Sequence, residues 1–152
     1  MKSEALHQIV VLEDDPRRIA RMRELLRRQL DTDARFFDEA AQICSWLDHS
    51  GAIDLISLDC DLPCSNGANL GSGDGVFVAN HLAGSKTLIP VIVHSSNAAG
   101  AESMYWSLKR AGCTVSRIYP YGDLDWIEQS WIQEVAKLLR PSAEAMNHDK
   151  TR

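Results

Sequence analysis

Short apolar runs alternate with amphipathic stretches along most of the chain. Ile9-Val10-Val11-Leu12, Ala34-Arg35-Phe36-Phe37, Leu55-Ile56-Ser57-Leu58, Ile89-Pro90-Val91-Ile92-Val93 and the segment 114–119 are the apolar runs. Runs of this length bounded by turn residues read as buried strands. Between them, apolar residues recur at helical spacing: Ile19, Met22, Leu25, Leu26 and Leu30, then Ala40, Ile43, Cys44 and Leu47. Val76, Val78, Ala79 and Leu82 mark a third helix over 76–82. Ala101, Tyr105 and Leu108 mark a fourth over 98–111, and Ile127, Trp131, Val135 and Leu138 a fifth over 124–139. Asp15-Pro16 is a helix start, with an acceptor side chain at the N-cap and proline at the first helical position. Five strands alternating with five helices predict an α/β fold, a parallel sheet with helices on both faces.

A chain of 152 residues, 45% hydrophobic and 24% charged, has the size and make-up of one ordinary soluble domain. That domain is expected over 1–140, with 2–7 loose and 141–152 a flexible tail. The net charge of −5 argues against a general DNA binder or a membrane-surface protein. The acid is unevenly spread, since Arg17, Arg18, Arg21, Arg23, Arg27 and Arg28 face a single acid, Glu24, within 17–28; a solvated helix flank is the plainest account. Cys44, Cys60, Cys64 and Cys113 lack the spacing of a zinc site. With no signal peptide or apolar run long enough to cross a membrane, a reduced, cytoplasmic protein is expected.

The polar residues gather at three strand ends: Glu13-Asp14-Asp15, Asp59 and Asp61, and His94-Ser95-Ser96-Asn97. Open α/β sheets bind ligands outside the carboxyl ends of their strands, so the three sets converge on one crevice. Carboxylates crowded there need a cation or donors to offset their repulsion. Oxygen-only clusters suit Mg²⁺, and the chemistry that follows is phosphoryl transfer or phosphodiester cleavage. Cys64 to Gly75 holds four glycines and two asparagines. It reads as a long loop beside the acidic strand end, covering a substrate or adjoining a metal, or else a surface loop with no task.

Over residues 8–139 the chain resembles the receiver domain of two-component response regulators. Leu12-Glu13-Asp14-Asp15-Pro16 is similar to that family's acidic pair after strand one, and Leu58-Asp59-Cys60-Asp61-Leu62-Pro63 to its phosphoacceptor segment. The resemblance implies a three-layer (βα)5 flavodoxin-like fold with strand order 2-1-3-4-5. It implies a Mg²⁺ site at Asp14, Asp15, Asp59 and Asp61, with the carbonyl of Cys60 or Asp61 near the metal. Ser95 falls on the family's hydroxyl position. Where the family has lysine before proline after strand five, this chain has Tyr119-Pro120, leaving Arg117 as a cation that would have to reach; the family's aromatic switch position is Ser116. Asp14-Asp15-Pro16-Arg17, the glycine-rich insert and His94-Ser95-Ser96-Asn97 followed by Gly100 and Met104 resemble the divergent cyclic-phosphate-processing receiver branch. That resemblance implies metal-assisted processing of a phosphate-containing small molecule or RNA end, such as a 2′,3′-cyclic phosphate. His94 would be the general acid/base and Asn97 would orient phosphate or water. The alternative is a stand-alone receiver phosphorylated on Asp59 by a histidine kinase, and a third is a degenerate receiver serving as a binding scaffold.

Overall fold

The structure, a computed structural model, describes residues 7–62, 74–85 and 88–139. The tail expected over 141–152, residues 2–6 and most of the glycine-rich insert lie outside the described residues. The strands are β1 (Ile9–Leu12), β2 (Ala34–Phe37), β3 (Leu55–Leu58), β4 (Val91–His94) and β5 (Val115–Ile118). The helices are α1 (Pro16–Leu30), α2 (Ala40–His49), α3 (Asp74–Gly84), α4 (Ala98–Arg110) and α5 (Ile132–Leu138), the last entered through a π-helical turn over Ile127–Trp131. All pairings are parallel and the order is β2-β1-β3-β4-β5, the flavodoxin-like order that the resemblance implied.

Strand alternation divides the core in two. Val10, Leu12, Ile56, Leu58, Val91 and Val93 face α2, α3 and α4, while Ile9, Val11, Leu55 and Ile92 face Met22, Leu25 and Leu26 of α1 and Trp126, Trp131 and Val135 at the last helix. Ser57 and His94 share the second face, because each lies two residues beyond an inward apolar residue of its strand, Leu55 or Ile92. Both are fully buried in the layer beneath α1 and α5. No helix among the described residues is long and apolar enough to cross a membrane.

Three expected boundaries move, each for a local reason. β4 starts at Val91, after Pro90, which has no amide hydrogen for the ladder, and runs on through His94. α3 starts at Asp74, so Gly75 belongs to its first turn and not to the preceding loop. The last helix widens at the π turn, which puts Trp126 and Ile132 inside with Ile127 and Trp131.

The carboxyl end of β3 is gripped between two helix starts. The Gly75 amide donates to the Cys60 carbonyl at 2.9 Å. A Cβ at Gly75 would collide with the Asp59 carbonyl oxygen, and one at Gly100 with the Cys60 sulfur. Gly→Ala inside a helix ordinarily stabilises by up to about 1 kcal/mol. Gly75→Ala should do the reverse, since backbone meets backbone and neither can give. We expect a loss of roughly 1–3 kcal/mol in urea unfolding, in the range of overpacked cores. A gain would mean that this close approach is not what requires glycine.

Candidate functional site

Glu13, Asp59 and His94 meet where β1, β3 and β4 end. All three are buried, and a ligand-capable atom from each lies within 4.8 Å of the others. Glu13 leaves β1 with its backbone tied to β2, its amide donating to the Phe37 carbonyl at 3.0 Å. Its Oε2 accepts the amides of Asp14 and Asp15, each at 3.1 Å. Its Oε1 faces His94 Nε2 at 3.2 Å and Arg18 Nη1 at 3.3 Å. The Oδ1 of Asp59 accepts the Cys60 amide at 2.7 Å, and its Oδ2 lies 3.5 Å from Arg18 Nη1.

Behind the acids runs a buried polar chain. The Trp131 indole donates to Ser57 Oγ at 2.9 Å, and Ser57 Oγ lies 2.7 Å from His94 Nδ1. The Glu13 carboxylate only accepts, so Nε2 carries the hydrogen that faces it; on a neutral ring Nδ1 then accepts the proton of Ser57, whose oxygen has lone pairs left for the indole. That assignment satisfies every member from Trp131 to Glu13. Trp126 stacks on the His94 ring with centroids 5.6 Å apart, and the Arg18 guanidinium lies 5.3 Å from the centroid of the Trp126 ring.

Burial pushes the Asp59 carboxyl up to about 6, with the Glu13 charge adding to the rise; any positive charge on His94, the Cys60 amide and Arg18 pull the other way. Burial acts on Glu13 in the same sense. There, however, the hydrogen bond and charge of His94, the Asp15 amide and Arg18 outweigh it, and the Glu13 carboxyl lies below its ordinary value. One acid is thus held ionised and its neighbour is short of positive charge. Burial, then the Asp61 and Asp59 charges, push the Cys60 thiol to about 12, which makes it inert as a nucleophile.

The residues expected from sequence do not all meet. Asp14 is half-buried beside Glu13. Asp15 is the N-cap of α1, its side chain accepting the Arg17 and Arg18 amides. Asn97 caps α4, accepting the Gly100 amide at 2.9 Å, and donates to Asp61 Oδ2 at 3.0 Å. Asp61 Oδ1 is buried with no hydrogen-bond partner among the described residues. Ser95 is buried and accepts the Asn97 amide at 3.1 Å, whereas the neighbouring Ser96 is exposed. His94, expected to meet substrate, has no exposed surface, and its two ring nitrogens are engaged by Ser57 and Glu13. Arg117 does not turn to Asp59; it lies 5.8 Å from the Tyr105 ring centroid. Ser116 donates to Glu134 at 2.6 Å, and Tyr119 points outward, 64% exposed.

Among the described residues the cation that reaches Asp59 is Arg18, which sequence reading left in a solvated flank. The signal for it lay in the cap. Asp15 fixes where α1 begins, so Arg18 sits in the first turn, over the strand ends. Beside it opens a pocket of about 250 Å³ lined by Asp15, Arg18, Ser96, Pro120, Tyr121 and Asp123, among others. The carboxylates fit a hard divalent cation, because two buried acids share one guanidinium and burial raises the carboxyl of one of them to about 6.

A family model, the cyclic-phosphate processing receiver domain, matches residues 9–110. No curated protein matches the chain in sequence. The receiver domain of the Francisella response regulator 1452 superposes with a TM-score of 0.64 at 16% identity, covering 90% of this chain and 98% of that one. A response regulator from Colwellia psychrerythraea gives 0.61 at 15%, covering 88% and 98%. The N-terminal domain of a response regulator/sensory box/GGDEF protein from Carboxydothermus hydrogenoformans gives 0.63 at 17%, covering 91% and 98%. These likenesses show the fold.

Proposed function

The chain belongs to the cyclic-phosphate-processing receiver domain family, and from that premise we propose a Mg²⁺-dependent phosphoryl site that opens or removes a cyclic phosphate, such as a 2′,3′-cyclic nucleotide or RNA end. The observation that carries the proposal is the buried Glu13–Asp59 pair beneath Arg18, next to a pocket open to solvent. Glu13, Asp14 and Asp59 would hold the metal, which when bound neutralises phosphate charge and polarises the phosphorus centre.

The chain's own residues divide the remaining work. Arg18 presents a planar, permanently charged donor set suited to phosphate oxygens. Ser96 offers a hydroxyl on the wall of the same pocket. His94 acts through Glu13, holding that carboxylate's orientation from behind, as a positioning residue. Asn97 does the same for Asp61 while fixing the start of α4. Cys60 is packed between Gly75 and Gly100 and sets the height of Asp59 in the crevice.

A phosphorelay receiver is the second reading, favoured by the placement of Asp59 at the end of β3. Against it stands Tyr119, where a lysine would otherwise meet a phospho-aspartate. Purified protein with Mg²⁺ should release product from a 2′,3′-cyclic nucleotide and take little phosphate from acetyl phosphate. The reverse result would move the signalling reading to first place. Tyr119→Lys should raise the yield and lifetime of the acyl phosphate by adding a cation at the rim of the site, a charge-assisted contact worth at most roughly 1.5–3 kcal/mol. An unchanged yield would show that the missing lysine is not what limits phosphorylation.

A further inference from the structure

We propose that Arg18 is a displaceable cation that couples metal binding to oxyanion binding: the guanidinium occupies the two carboxylates when no metal is bound and turns into the adjoining pocket to take a phosphate when metal arrives. The inference rests on the phosphate-site reading above and adds an order of binding to it.

The geometry supplies both positions. One guanidinium nitrogen of Arg18 lies 3.3 Å from Glu13 Oε1 and 3.5 Å from Asp59 Oδ2. Glu13 Oε2 is taken by two amides, so a divalent ion held by Glu13 and Asp59 would compete with the guanidinium for these oxygens. The side chain can move, for it is 23% exposed where Glu13 and Asp59 are 1% and 10%. The same residue lines the 250 Å³ pocket with Ser96. Its backbone need not follow, because the Asp15 cap holds the Arg18 amide. The Trp126 ring offers it a flat surface to stay against while it turns.

The neighbouring cations are committed elsewhere. Arg17 pairs with Asp123, Arg21 with Glu24 and Glu128, and Arg117 lies over Tyr105. Arg18 is therefore the cation among the described residues that a metal would set free. Freed, it leaves a positive group over a pocket whose floor has just gained two charges. An oxyanion then binds where, without metal, the guanidinium was neutralised by carboxylates. By linkage the oxyanion must tighten the metal by the same factor.

The test is calorimetric titration of Mg²⁺ into wild type and Arg18→Gln, each with and without inorganic phosphate. Wild type should bind Mg²⁺ roughly 5–50-fold more tightly when phosphate is present, within the usual span of coupled sites. Arg18→Gln should bind Mg²⁺ alone more tightly than wild type, its competitor being gone, and the phosphate effect should shrink at least about 5-fold, to what the metal's own attraction for phosphate leaves. A variant that binds Mg²⁺ no better than wild type, or keeps the full phosphate effect, overturns the proposal. Should Arg18→Gln not fold, wild type alone decides. Phosphate titrated without metal should give no saturable heat at concentrations that saturate the Mg²⁺-loaded protein, and equal phosphate binding in both states sinks the idea. These readouts are binding heats, so absence of cyclic-phosphate turnover would count against the proposed function and leave the coupling intact. Turnover without coupling would do the opposite.

Discussion

Asp59→Asn should make the metal-free protein more stable and the metal-loaded protein less so. The Asp59 carboxyl is held at about 6 in the fold against 3.8 unfolded, chiefly by burial. A folded value above the unfolded one means that the fold keeps a proton the unfolded chain releases. Stability therefore falls as pH rises from about 4 to about 6, and above that the full difference, about 3 kcal/mol, is in place. Glu13 works in the other sense: its folded value is lowered, so its contribution is present at neutral pH and lost as acid protonates it. Removing the Asp59 charge should raise the neutral-pH melting temperature by roughly 6–12 °C, taking about 2–4 °C per kcal/mol for a domain of this size. The wild-type fall between pH 4 and 6 should flatten. Mg²⁺ should raise the wild-type melting temperature at pH 7 by an amount set by free metal over its dissociation constant, and Asp59→Asn should lose most of that rise. Cyclic-phosphate turnover should drop at least ~10²-fold with it. A variant less stable than wild type without metal at pH 7 would show that the buried charge is not being carried at a cost.

Replacing His94 should have the largest effect on folding. His94→Leu leaves Glu13 Oε1 without its imidazole donor and the Ser57 hydroxyl without its acceptor, in a layer with no water-exposed side. Breaking one partner from a buried polar pair typically removes about 3–5 kcal/mol. His94→Gln can still donate toward Glu13 and accept from Ser57, and most of that loss should return. The discriminating readout is Mg²⁺ affinity measured in folded protein. A residue that positions Glu13 predicts at least ~10-fold weaker metal binding in the leucine variant and near-normal binding in the glutamine variant. If His94→Gln folds and binds metal as wild type does while turnover falls ~10²–10⁴-fold, the histidine transfers the proton itself.

The strands and their order were legible because buried parallel strands are nearly all apolar and the polar residues mark their ends. Asp59 was legible for the same reason, standing one residue past β3. Arg18 was hidden because its role depends on the helix turning it back over the sheet, and in sequence it is one of six arginines within 17–28. His94 was found but read as a general acid/base just past the strand, since extending β4 by one residue decides whether it lies inside the sheet or beyond it. Ser57 sat within an apolar run, where a single hydroxyl gives no sign of the Trp131 indole waiting 74 positions away. Local pattern carries the elements, and the partners of buried polar groups come from the tertiary arrangement.

The π turn has a consequence for the length of the last helix. Trp126 and Trp131 stand five residues apart, as do Ile127 and Ile132, and all four are buried. In an α-helix, residues five apart lie about 140° around the axis from one another, and residues four apart about 40°. The segment is therefore an α-helix carrying one surplus residue, with exposed Glu128 and Gln129 on its outer side. Loss of a residue from most helices turns everything beyond it by about 100° and empties the core. Here, dropping one of the outer residues would convert π to α while both indoles still face the sheet. Adding one would drive Trp126 away from His94 and take the surface under Arg18 with it. This stretch can shorten in evolution and cannot lengthen.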